Sequence, residues 1–133
     1  MSKNAIGAVA GAMLALGLLA GCGGPAGPAR YDVEGVVTYD GKPVPAGRVV
    51  FEPDSAKGNQ GPACYADIED GKYASPSGKG TVGGPHVVRI NGSNGVPHDE
   101  SPLGTALFPE YRTNVDLPKE TATHDFDVPA SHK

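Results

Sequence analysis

Five groups of residues have the chemical types that catalysis or ligand binding would need. His98-Asp99-Glu100 is the densest run of metal-capable side chains. Adjacent residues rarely converge on one ion, so that run needs a ligand from elsewhere in the chain. His86, His124 and His132 are dispersed, and no His-Glu-x-x-His pair occurs. Ser75, Ser77, Ser93, Ser101 and Ser131 lack the Gly-x-Ser-x-Gly elbow that exposes a nucleophilic hydroxyl. Gly78-Lys79-Gly80-Thr81 resembles the end of a phosphate loop, but the motif's first glycine is missing upstream and no helical pattern follows. Asp67, Glu69 and Asp70 have the oxygen donors for weak Ca²⁺ binding, and solvated turn acids look the same.

Two cysteines remain, Cys22 and Cys64. A reactive thiol needs an exposed site that lowers its pKa. Cys64 shares strand parity with Ala66 and Ile68, which predicts a buried thiol acting as a small hydrophobe. Cys22 has a different setting. An uncharged run from Ala5 to Leu19 precedes it, with Lys3 in front of the run. Gly23 to Ala29, made only of Gly, Pro and Ala, follow it. A basic n-region, a short apolar stretch and small residues before a break are the marks of an export signal. The apolar stretch falls short of the roughly 20 residues that a membrane span needs.

Leu19-Ala20-Gly21-Cys22 resembles a bacterial lipobox. That resemblance implies a lipoprotein signal peptide over residues 1–21, a diacylglycerol thioether on Cys22, and acylation of the new amino group by a chain such as palmitate. Two or three acyl chains hold a protein on a membrane far more firmly than one. Residues 22–30 then read as lipidated cysteine and flexible tether, 31–129 as one domain, and 130–133 as a disordered tail. The expected location is the cell envelope. Gly23 rather than Asp after the cysteine favours the outer membrane or periplasmic face in well-studied bacteria.

Beyond residue 21 the chain carries 10 basic and 15 acidic residues. Such a balance argues against a nucleic-acid surface and against a polybasic membrane patch. With Cys22 lipidated, Cys64 has no partner for an intrachain disulfide. The 20 glycines and 13 prolines are about a quarter of the 133 residues, and most fall in the leader, the spacer and the turns.

Period-two alternation is the main structural signal. It predicts strands over Tyr31–Tyr39, Arg48–Glu52, Ala63–Glu69, Lys72–Ser75, Pro85–Ile90 and Thr123–Val128, with a brief edge strand at Val115–Leu117. Asp40-Gly41 and Asp70-Gly71 predict hairpin turns. Val37, Phe51, Ile68, Tyr73, Val88, Ile90, Phe126 and Val128 are the predicted core. Tyr65, Val87 and Val36 fall on outer faces. No helical period extends over ten residues of the mature chain. The fold class is all-β, a sandwich of six or seven short strands.

Val33-x-Gly35-x-Val37-x-Tyr39-Asp40-Gly41-Lys42-Pro43-Val44 and Asp70-Gly71-Lys72-Tyr73 resemble landmarks of carboxypeptidase regulatory-like, or transthyretin-like, domains. The stretch from Val88 through Phe108-Pro109-Glu110-Tyr111 to His124-Asp125-Phe126-Asp127-Val128 is similar to the C-terminal half of small planctomycete lipoproteins of this kind. The resemblance implies a seven-stranded Greek-key β-sandwich of prealbumin type and brings no catalytic or cofactor residues. Pro118 and Lys119 depart from the family pattern and leave the register of the last two strands open. The reading that follows is a non-enzymatic, membrane-anchored envelope lipoprotein with a structural or protein-binding domain, no metal and no cofactor. A metal-dependent hydrolase and a small-ligand carrier, dimeric through an outer strand, are the alternatives.

Overall fold

A computed structural model describes residues 27–130. The expected signal peptide, Cys22 and His132 lie outside the described residues. The described chain is all-β, with nine strands and one short 3₁₀ turn at Ser55–Lys57. Among the described residues no helix is long and apolar enough to cross a membrane.

The strands are β1 (Val33–Tyr39), β2 (Lys42–Pro43), β3 (Ala46–Pro53), β4 (Cys64–Glu69), β5 (Lys72–Ala74), β6 (Gly84–Ser93), β7 (Tyr111–Leu117), β8 (Ala122–Thr123) and β9 (Phe126–Val128). They form one curled, mainly antiparallel sheet in the order β2-β1-β5-β4-β3-β6-β7. β8 and β9 lie along β1 in parallel.

Turn chemistry sets two of the hairpins. Asp40 and Gly41 have φ of 54° and 77°, and Asp70 and Gly71 have 51° and 80°. Two successive left-handed residues suit the twist of a two-residue hairpin, and Asp-Gly is a pair that adopts them readily. The result is β1 paired with β2 through Tyr39 and Lys42, and β4 paired with β5 through Glu69 and Lys72.

β1 is bonded along both edges. On one, the Val33 carbonyl accepts from Ser75 N–H at 2.8 Å, and Val37 N–H donates to the Gly71 carbonyl at 2.8 Å. On the other, the Asp32 carbonyl accepts from Ala122 N–H at 3.0 Å and the Glu34 carbonyl accepts from His124 N–H at 2.8 Å. Odd residues serve β5 and even residues serve the C-terminal segment, as the pleat of a strand dictates.

Four expectations about strand extent need correction. β6 runs on to Ser93, where a loop was expected from Asn91, because Asn91, Gly92 and Ser93 pair with Arg48, Gly47 and Ala46. The same pairing starts β3 at Ala46. β7 has seven residues rather than three, since its pairing with β6 begins at Tyr111 opposite Ile90. The last alternating run is two strands. Val36 N–H takes the Asp125 carboxylate at 2.9 Å instead of a backbone carbonyl, which interrupts the ladder at His124–Asp125.

The eight predicted core residues are all buried, joined by Val33, Val44, Val49, Cys64, Ala66, Phe108 and Leu117. Phe51, Tyr73 and Phe126 form a three-ring contact with centroids 5.9–6.0 Å apart. Tyr39 and Phe108 make a second aromatic contact at 4.8 Å. Tilted rings at these separations add attraction beyond their buried area.

Gly35 lies where these parts cross. A Cβ there would sit 2.0 Å from the His124 carbonyl oxygen and 3.0 Å from the Tyr73 ring. The Tyr73 hydroxyl donates to that same carbonyl. Phe51→Ala is expected to lower unfolding free energy by about 3–5 kcal/mol through cavity formation. Tyr73→Phe, which leaves the half-buried His124 carbonyl without this donor, should cost about 1–2 kcal/mol. Chemical denaturation of each variant checks both, and a loss for Tyr73→Phe within error of zero would contradict the role given to the hydroxyl.

Candidate functional site

The outer face of β1, β5, β4 and β3 forms an open groove of about 1130 Å³. Alternation builds it. Cys64, Ala66 and Ile68 of β4 point into the core, so Tyr65, Asp67 and Glu69 must point out. Glu34 and Val36 arrive from β1, Arg48 from β3 and Lys72 from β5, while Asp70 and Asp125 close the rim. Tyr65 is 53% exposed and Val36 39% exposed, the apolar surface of an otherwise charged trough.

Five carboxylates line this groove against two cations. Arg48 is held by Asp67, with Nη2 3.0 Å from Oδ1. Asp125 accepts the Val36 amide. Glu69 stands opposite Lys72 across the hairpin. Glu34 and Asp70 have no ion pair among the described residues. The trough has a negative potential and one exposed aromatic face. Chemically it can hold a cationic, partly apolar segment by charge and by contact with the Tyr65 ring. Of the outer-face residues expected to form a patch, Tyr65 and Val36 line the groove and Val87 does not.

The structure does not bring the other candidate residues together. His98 is exposed on the loop after β6, its Nε2 3.2 Å from Thr105 Oγ1. Ser101 Oγ donates to the Gly104 carbonyl within that loop. Asn94 Oδ1 accepts from Val96 N–H at 2.9 Å and Thr105 N–H at 3.2 Å, which fixes the loop's base. His124 is half-buried, and its ring packs on Phe126 at a centroid distance of 4.7 Å. Ser75 Oγ accepts from Val33 N–H. Lys79 lies in a turn, Thr81 pairs with Tyr31, and no helix follows. Among the described residues no group of three or more His, Cys, Asp or Glu side chains is placed to hold a metal ion.

His86 is only 1% exposed. Its Nδ1 lies 2.8 Å from the Gly84 carbonyl, and its Nε2 has no hydrogen-bond partner. Its inward parity was legible in the sequence, and its lone nitrogen was not. Arg30 was not singled out in the sequence at all. Its Nε donates to the Gly80 carbonyl at 3.0 Å and its Nη2 to the Ala63 carbonyl at 2.9 Å. Those bonds depend on two loops that no local pattern relates to residue 30.

No family model, no curated protein and no solved structure matches the chain.

Cys64 is buried, as its parity predicts. Burial pushes its thiol up from 9.0 to about 11, with nearby Arg30 opposing and Asp32 adding. Burial also raises the Tyr73 phenol. For both groups the folded state prefers the neutral form. The stabilising preference is therefore complete below the unfolded pKa and lost as pH rises toward the folded one. For Cys64 alone, raising pH from 9 to 11 should remove about 2–3 kcal/mol of stability. Cys64→Ala should show a correspondingly shallower alkaline loss in urea melts. Equal slopes for the two proteins would contradict a buried neutral thiol.

Proposed function

We propose that the chain is a non-enzymatic lipoprotein, anchored to a bacterial envelope membrane through Cys22, whose β domain binds a protein partner. The carrying observation is where the fold takes hold of the chain. Arg30 bonds to carbonyls of Gly80 and Ala63, and Tyr31 pairs with Thr81 through two backbone bonds of 2.7 and 2.9 Å. That clamp begins eight residues beyond Cys22, just after the Gly, Pro and Ala spacer. This arrangement fits a tethered domain with a boundary at residues 30–31.

The curled sheet is compatible with the closed, Greek-key sandwich of a carboxypeptidase regulatory-like domain, and we take that as its fold type. Two points support it. β8 and β9 return to β1, so the last described strands lie beside the first. Phe126 packs on both Phe51 and Tyr73, with ring centroids 6.0 Å apart, so the returning segment closes on the same core.

Binding is favoured over catalysis by how the reactive groups are used. The Cys64 thiol is buried and neutral, and the Ser75 and Ser101 hydroxyls bond to backbone. General acid–base or nucleophilic work needs such groups free and mutually oriented. The groove instead offers a broad, open, acidic surface. Its shape suits an extended polypeptide carrying Lys or Arg better than a small molecule, which enclosed pockets bind more effectively.

Mass spectrometry of the mature protein is expected to find acyl mass on an N-terminal Cys22, and Cys22→Ala should release the protein from membranes. An unmodified N-terminus elsewhere would refute the anchor. The binding reading is tested separately. Tyr65→Ala together with Glu69→Lys should lower capture of a Lys-rich extended peptide at least about tenfold, and 0.5 M salt should do the same. Stoichiometric bound metal, with hydrolytic turnover abolished by His98→Ala, would overturn the binding reading in favour of an enzyme.

A further inference from the structure

β7 is one open edge of the sheet. Among the described residues its one strand partner is β6, and the pairing is unbroken from Tyr111 opposite Ile90 to Leu117 opposite Gly84. The direction of its amides follows from β6. Asp54 N–H donates to the Pro85 carbonyl at 2.9 Å, in register with Glu52 opposite Val87. Odd residues of β6 therefore bond to β3, and His86, Val88 and Ile90 bond to β7. On β7 this engages Tyr111, Thr113 and Val115. The N–H and C=O groups of Arg112, Asn114 and Asp116 point out of the sheet.

Exposed edges are normally guarded by Pro, charged side chains (Lys above all), a bulge or short length. β7 has no Pro, Lys or bulge across its seven residues, Tyr-Arg-Thr-Asn-Val-Asp-Leu, and its two edge charges are of opposite sign. Its outward side chains are a cation, an amide and an anion at equal spacing, all exposed. Neither Arg112 nor Asp116 forms an ion pair among the described residues. Arg112 stands directly opposite Arg89, whose own guanidinium is held by Glu52 at 2.8 Å. Arg112 thus faces an arginine already paired with Glu52 and near Glu110, and has no ion pair of its own among the described residues.

We infer that β7 recognises a second copy of itself. The added strand runs antiparallel about a two-fold axis through Asn114. In that register Asn114 meets Asn114, and Arg112 meets Asp116 on both sides of the axis. These are also the residues whose amides are free, so each pair can exchange two backbone hydrogen bonds. On the inner face Tyr111 meets Leu117 and Thr113 meets Val115, which extends the cover over the half-buried Tyr111 and Val115. The register is specific. A slip of two residues one way sets Glu110 against Asp116, which repel. A slip the other way sets Arg112 against Pro118, which has no N–H. This self-pairing does not depend on the anchor at Cys22.

The test is made on the full chain in the membranes where it is produced. Cysteine is introduced singly as Asn114→Cys, Asp116→Cys or Asn91→Cys, and each sample is oxidised and run on a non-reducing gel. Asn114→Cys is expected to give a disulfide-linked dimer, because residues on the axis fall within bridging distance. Asp116→Cys and Asn91→Cys should stay at the wild-type level, which also accounts for any free Cys22. In the Asn114→Cys background, Arg112→Asp should cut the dimer about fivefold or more, and Asp116→Arg likewise. Combining the two reversals should restore it to within about twofold of the starting yield. Asn114→Pro, which removes an N–H that the monomer does not use, should make the otherwise wild-type chain monomeric in sedimentation without lowering its melting temperature. Absence of dimer at Asn114→Cys, equal cross-linking at all three positions, or failure of the double reversal to restore it would overturn the proposal.

Discussion

The Tyr73 hydroxyl reaches across Gly35 to the carbonyl of His124. Three elements far apart in sequence meet in that contact: β5, the middle of β1 and the joint between β8 and β9. It requires a residue without Cβ at position 35, since any side chain there would occupy the path of the carbonyl. It also requires an aromatic ring long enough to span the width of β1. With the ring in place, Tyr73 can join Phe51 and Phe126 in the central cluster. The curl of the sheet, the seating of the C-terminal strands and the main aromatic contact therefore share one small set of atoms.

That arrangement has consequences at the surface. Because β4 and β5 turn their apolar residues inward toward this cluster, their outward residues form the acidic groove around Tyr65. Asp125 belongs to both regions. Its carboxylate completes the hydrogen bonding of β1 at Val36 and lies on the groove's rim. Groove and fold are thus coupled through a single side chain, and anything that drew the Asp125 carboxylate away would leave a backbone amide unpaired. β1 itself, bonded on both edges, is unavailable for further pairing. A free edge is at the far side of the sheet, on β7.

The sequence made the inward residues legible because burial on one face of a strand imposes a period of two, and that period survives in any context. It also marked both hairpins, since Asp-Gly at positive φ is a local requirement. Strand ends were less legible. Asn91, Gly92 and Ser93 have no apolar alternation, and they are strand only because Arg48, Gly47 and Ala46 lie beside them. The same holds for Tyr111 to Asn114, whose partners are Ile90 back to Val87, far outside any local pattern. Parallel pairing of β8 and β9 with β1 left no trace in the pattern, because alternation does not encode strand direction. For the groove, Tyr65 and Val36 were placed on an outer face, but the gathering of Glu34, Arg48 and Asp125 around them needed the topology. Arg30 was missed for a related reason: its partners are backbone carbonyls, which carry no sequence signature.

The two surface proposals constrain each other geometrically. Antiparallel addition through β7 reverses strand direction between copies, so their N-terminal chains enter at opposite ends of the joined sheet. Gly23 to Ala29 span at most about 25 Å when fully extended. A seven-residue strand is roughly as long, at about 3.3 Å per residue. If one copy stood upright on the membrane, its partner's entry point would be a strand length above the surface. Its spacer would then be drawn almost straight, with the loss of nearly all its conformational freedom. Lying with the strands along the surface removes that cost, because both entry points are then equally near the membrane. On the two proposals together, an anchored dimer would lie flat, with its two acidic grooves related by an axis perpendicular to the membrane and at equal height.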